Sequence, residues 1–152
     1  MRSAPPWSAL VAVVLSAAAL ALAVLSASSA SRPPAGPPAT VDLTLLITAT
    51  GGPTPQATHH AYNPQMIVAR RGDLLRLRVM NLSLFTHGLV FEGLDARTQA
   101  LYGGAEEAVS VVAGKGGVFP YRCYIPYDPV ARSCSPDHET MVGYLVVLDD
   151  GR

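Results

Sequence analysis

Two thiols, two imidazoles and a thioether carry most of the chemistry available to this sequence. Cys123, Cys134, His138 and Met141 lie in one segment, C-YIPYDPVARS-C-SPD-H-ET-M, and His87 lies upstream in HGLVF. Thiolate and thioether are soft ligands that favour copper, and imidazole suits several transition metals. The short spacing from Cys134 to His138 to Met141 lets side chains of one tight turn converge on an ion. His87 begins a different predicted strand, and it closes such a site if the two strand ends lie side by side.

Each residue also has a plainer reading. A Cys123–Cys134 disulfide would close a loop of about a dozen residues and contribute roughly 3 kcal/mol, and an exported protein ordinarily oxidises such a pair. His138 alone reads as loop surface, His87 as a hydrogen-bonded strand histidine and Met141 as core; their grouping favours ligation. His59 and His60 are adjacent on a predicted loop, where consecutive residues do not easily face one site. A solvated pair is expected there, with a second metal or a partner contact as the alternative. Few serines stand in a nucleophile context and there is no Gly-rich phosphate loop. The donor set also fills a metal, whereas catalytic metals keep an open position. Eleven basic and eleven acidic residues give no net charge, and without a long basic run there is no electrostatic footprint for nucleic acid.

The elements that must position these donors read as β. The 152 residues suggest one domain. Arg2 precedes an uncharged stretch, residues 3–31, whose apolar heart is 7–25. A positive start, an apolar run and small residues at 28–30 fit a secretory signal, while residues 7–30 are long enough to cross a bilayer as a helix of about 20 residues. Residues 1–30 are thus expected to be a hydrophobic helix serving as signal peptide or membrane anchor. Either role puts the rest of the chain outside the cytoplasm, in the periplasm or on the outer face of the cytoplasmic membrane. Residues 31–40 (SRPPAGPPAT) read as a stiff Pro-rich linker.

Residues 41–150 then form the domain, with enough chain for one small β-sandwich. Strand-like runs occur at 41–49, 66–69, 74–80, 87–91, 107–113, 118–123 and 142–148. In 74–80 (LLRLRVM), Leu75, Leu77 and Val79 alternate with Arg76, Arg78 and Met80. Arg76 and Arg78 are expected to meet solvent, or an acidic partner. Residues 51–58 (GGPTPQAT) read as a loop and 70–73 (RRGD) as a turn. Short strands parted by Gly/Pro turns indicate an all-β sandwich or barrel.

Against that background YRC…CSPDHETMVGYLVV, with MNLSLFTHGLVF upstream, resembles the copper domains of cytochrome c oxidase subunit II and nitrous oxide reductase. These are cupredoxins with a binuclear CuA centre, and the likeness covers about residues 60–149. An N-terminal hydrophobic helix before the domain is similar in layout to oxidase subunit II. The family pattern is His near a strand start, then Cys, three residues, Cys, three residues, His, two residues, Met. His87, Cys123, Cys134, His138 and Met141 match it, except that ten residues part the two cysteines here. The departure leaves one or two copper ions open and the family's carbonyl ligand unassigned. A mononuclear site would join His87, one cysteine and His138, with Met141 as a weak axial ligand.

The resemblance implies a cupredoxin-like Greek-key β-sandwich and a copper-binding electron carrier rather than an enzyme. It also implies a redox partner such as a cytochrome or a terminal oxidase or reductase. Met80, Leu82, Leu84 and Phe85 are then either a docking rim or core. The alternatives are a copper carrier or assembly factor, which the widened loop would suit, and a metal-free, disulfide-bonded domain.

Overall fold

A computed structural model describes residues 36–51 and 58–149. The expected helix at 1–30 and the first half of the linker lie outside the described residues. Residues 36–39 are exposed and irregular, and among the described residues no helix is long and apolar enough to cross a membrane.

The described residues form eight strands: β1 (Thr40–Gly51), β2 (Thr58–Asn63), β3 (Met66–Arg70), β4 (Leu74–Asn81), β5 (Val90–Phe91), β6 (Glu106–Val112), β7 (Gly117–Arg122) and β8 (Val142–Leu148). They form two four-stranded sheets, ordered β2-β1-β4-β6 and β3-β8-β7-β5. Each sheet is mixed: β1 runs parallel to β4 and β3 parallel to β8, and the other neighbours are antiparallel.

Alternation decides which side chains face inward. Leu75, Leu77 and Val79 of β4 are buried, while Arg76 and Arg78 face solvent and pair with Asp42 and Glu106 at 2.8 and 2.6 Å. Leu45 and Ile47 of β1 and Val109 and Val111 of β6 meet Ile67, Phe119, Tyr121, Leu145 and Val147 of the other sheet in one apolar cluster. The turn before β4 needs Gly72, at φ +93°, because left-handed backbone is open to glycine without steric cost. Asp73 completes that turn by accepting the Arg70 and Ala39 amides, each at 2.9 Å.

Two expectations change. His59 and His60 lie on a strand, not a loop: β2 pairs antiparallel with β1, Ala49 opposite His60 and Ile47 opposite Tyr62. The strand is short and ends at an Asn-Pro step, so pairing with β1 rather than local propensity defines it; most of the loop expected at 51–58 lies outside the described residues. The run 87–91 is a strand only at Val90–Phe91, with His87 bridged singly to Leu101. Gly88 interrupts it, as a glycine does where another group approaches closely.

Candidate metal centre

The donors gather at the end of the sandwich where β7 finishes and β8 begins. Cys123 follows directly on β7, so its side chain is set by the sheet register and is buried. His87 is held by an irregular segment after β4 that buried Asn81 organises. The Asn81 amide donates to the carbonyls of Phe85 (2.6 Å) and Leu101 (2.8 Å), and its oxygen accepts from the Ser83 amide (3.0 Å) and hydroxyl (2.8 Å). His87 then exchanges backbone hydrogen bonds with Leu101 and is wholly buried. Asn81 was not among the residues singled out from the sequence; one asparagine closing an apolar strand carries no distinguishing pattern.

The ten residues between the cysteines fold back on themselves. Asp128 and Ser133 exchange backbone hydrogen bonds at 3.0 and 2.9 Å, and the Asp128 carboxylate accepts the Val130 and Ala131 amides at 2.8 and 3.0 Å. The returning strand of this small hairpin is stitched to the His87 segment: Thr86 N donates to Arg132 O at 2.8 Å and Cys134 N donates to Thr86 O at 2.9 Å. Arg132 and Cys134 both sit in the left-handed region, at φ 52° and 51°, a strain of roughly 1–3 kcal/mol each for a residue with a side chain. That strained return brings the second thiol back to the first.

The nitrogen of His87 and the sulfurs of Cys123 and Cys134 all lie within 4.8 Å of one another. His87 Nδ1 is 3.9 Å from Cys123 Sγ, and His138 Nδ1 is 3.5 Å from Cys134 Sγ. Each sulfur therefore has its own imidazole. His138 opens the 3₁₀ turn His138–Thr140 and is half-buried. Met141 follows that turn and is buried in the same apolar cluster as both cysteines. The Ile125 carbonyl stands 3.7 Å from Cys123 Sγ. Both thiols are free. A depression of about 420 Å³, lined by Arg122, Cys123, Tyr124, His138 and Glu139 among others, opens over the site.

The electrostatics favour one thiolate. The hydrogen bond shared with Cys134 lowers the Cys123 thiol well below its ordinary value against the opposing effect of burial, with His87 and the Gly88 amide adding to it. Cys134 is pushed the other way by the same shared hydrogen bond, by burial and by the neighbouring Cys123 charge. Gly88 N lies 3.4 Å from Cys123 Sγ. A Cβ on residue 88 would stand 2.3 Å from the Tyr124 ring, so only glycine lets that amide and that ring occupy their places.

Next to His87 lies a residue that the sequence reading put in solvent. His60 is 4% exposed, and its ring centroid is 4.5 Å from that of His87 and 5.0 Å from that of Phe85. Burial lowers it to about 4, and His87 adds to the shift. His59 points to the other face of β2, exposed, and pairs with Asp137 at 2.5 Å. The HHAY alternation ahead of Asn-Pro was the available signal. Leu82 and Leu84 are exposed near the site, while Met80 and Phe85 are half-buried.

The donor set fits a soft transition metal. Two adjacent free thiols, a buried imidazole with its Nε2 unpartnered and a half-buried imidazole at the second sulfur are donors of the kind copper takes, as zinc does.

No protein-family model matches the sequence, and comparison with curated proteins finds no match. Solved structures do match in fold. A copper nitrite reductase from Nitrosomonas europaea is 21% identical at TM-score 0.52, covering 74% of this chain and 42% of its own. A multi-copper oxidase from Pseudomonas thermotolerans is 19% identical at 0.55, over 74% and 30%. A blue copper oxidase from Nitrosomonas europaea is 19% identical at 0.54, over 74% and 40%. The chain thus spans less than half the length of these proteins. The likeness establishes a cupredoxin-like β-sandwich, the fold these copper proteins share.

Proposed function

We propose that the chain is an extracytoplasmic copper-binding electron-transfer protein with a CuA-like centre. His87, Cys123, Cys134, His138 and Met141 would hold the metal. The observation that carries the proposal is the return of Cys134 to Cys123 across a ten-residue loop, with one imidazole beside each sulfur. Two thiolates, each with its own imidazole, suit a pair of coppers better than one ion, which would leave a thiol without a role. The Ile125 carbonyl beside Cys123 Sγ is the main-chain oxygen available to such a pair.

Copper bound there would supply a one-electron couple. The residues do the remainder. Cys123 enters as a thiolate supported by the Gly88 amide, and Cys134 gives up its proton on binding, since a thiolate is the ligand form. Sheet register, the Asn81 network and the insert hairpin hold the ligands in place, so little has to move between oxidation states. The depression over Cys123 and His138 supports a second reading, in which the ion is cargo passed to a copper enzyme. A cytochrome donor, a terminal oxidase or reductase as acceptor and an anchoring or signal role for residues 1–30 belong to the first reading. The exposed Leu82 and Leu84 beside the site would be its docking rim.

The test is to load the purified full-length chain with copper under reducing and then oxidising conditions, recording stoichiometry, visible absorption and EPR. Two coppers sharing one electron are expected. One copper with an intense thiolate band would replace the binuclear reading with a mononuclear one. Tight copper(I) binding without a stable coloured oxidised form would favour the cargo reading, and no binding would end both.

A further inference from the structure

His60 and His87 are adjacent buried imidazoles, and three of their four ring nitrogens have no hydrogen-bond partner: His60 Nδ1, His60 Nε2 and His87 Nε2. Leaving a buried polar group unpaired costs roughly 1–3 kcal/mol. A histidine buried for packing alone normally recovers that cost by bonding at least one ring nitrogen, and such exceptions call for a specific cause. Packing does not require an imidazole here, because His60 sits among Phe85, His87 and the β1–β2 ladder, where an apolar ring would serve at no polar cost.

Strand geometry turns His60 inward, against the His87 ring. In β2 successive side chains alternate, so His59 meets Asp137 on the outer face while His60 faces inward against His87. Asp137 directly precedes His138, so the outer face of the strand is tied to the ligand loop as the inner face presents its imidazole. A one-residue slip of β2 would exchange the two histidines, and the six-pair ladder with β1 opposes that slip.

We propose that His60 is a third imidazole ligand of the copper centre, beside His87 and His138. This rests on the copper reading above. Metal ligation gives the unpartnered ring a lone-pair acceptor of the kind copper prefers, and it explains why β2 carries a histidine in an otherwise apolar inward position.

The experiment counts imidazole nitrogens on the wild-type full-length protein. Protein labelled with ¹⁵N-histidine is loaded with copper, and ENDOR is recorded on the paramagnetic form. Three coordinated imidazoles are expected, and two would overturn the inference. Copper(I) affinity by chelator competition gives a second reading in H60F, H60Q and H59A. H60F is expected to fold, to lose one imidazole from the count and to bind copper(I) about 100-fold more weakly, the upper end of what supporting groups around metal ligands contribute. If H60F does not fold, H60Q, which keeps a polar side chain, takes its place with the same expectation. H59A is expected to keep the count. A loss of affinity with the count unchanged would make His60 a positioning residue and overturn the ligand assignment. Wild-type affinity in H60F, alongside losses in H87A and H138A, would overturn it while leaving the copper reading intact. Failure of the wild type to bind copper would remove both.

Discussion

At the scale of single residues, small changes near the sulfurs should have effects out of proportion to their size. G88A places a methyl group 2.3 Å from the Tyr124 ring; overpacking of this kind costs about 1–3 kcal/mol and moves the amide beside Cys123. The expected result is a lower denaturation midpoint together with weaker copper retention, read by urea unfolding and metal analysis. N81A should act differently. It removes the amide donor shared by the Phe85 and Leu101 carbonyls and the acceptor of the Ser83 amide and hydroxyl, at about 1–3 kcal/mol, and frees the segment that carries His87. A pH dependence is expected at His60, which feels the charges of His87 and Cys123 and, from the other face of β2, of Asp137 and His59. In the fold it titrates near 4, below the ordinary 6.5. Between those values the unfolded chain takes a proton that the folded chain refuses, so stability falls as pH drops through this window. Metal-free wild type should lose about 3 kcal/mol relative to H60F between pH 6.5 and 4, and equal slopes for the two proteins would refute the lowered pKa of His60.

At the scale of elements, the alternation of Leu75, Leu77 and Val79 with Arg76 and Arg78 announced β4, and 142–148 is β8 residue for residue. These were legible because period-two burial writes itself into the sequence. β2 was not, because its place depends on β1, and its inward residues are His60 and Tyr62 rather than aliphatics. The fold-back of residues 124–133 was not legible either. It depends on bonds from Arg132 and Cys134 to Thr86, more than forty-five positions upstream, and on left-handed backbone at two residues that are not glycine. The donor types and spacings were visible from the start; the neighbour relation of Cys123 to Cys134, and of His60 to His87, needed the fold. D128A tests the hairpin. It removes the acceptor for the Val130 and Ala131 amides, worth about 1 kcal/mol, and is expected to weaken copper binding severalfold while leaving the melting of the sandwich nearly unchanged.

At the scale of the whole molecule, the core and the centre share side chains. Both cysteines and Met141 belong to the apolar cluster that includes Leu77 and Leu145. L77A should cost about 2–5 kcal/mol and lower metal retention as well, since the cluster positions the donors. Conversely, copper at 1,000 times its dissociation constant should stabilise the fold by about 4 kcal/mol. Calorimetry with and without copper, in wild type and L77A, checks both directions, and independent melting of the centre and the sandwich would contradict the shared packing.

The closed hairpin between the cysteines also has a practical consequence. Its tip residue, Val130, is 91% exposed and is separated from the thiols by the hydrogen-bonded rung at Asp128 and Ser133. A fluorophore, a spin probe or an electrode linker grafted at the tip would stand within a few residues of both sulfurs without entering the packed interior. The ten-residue loop between the cysteines therefore offers a handle for attaching a reporter beside the thiols.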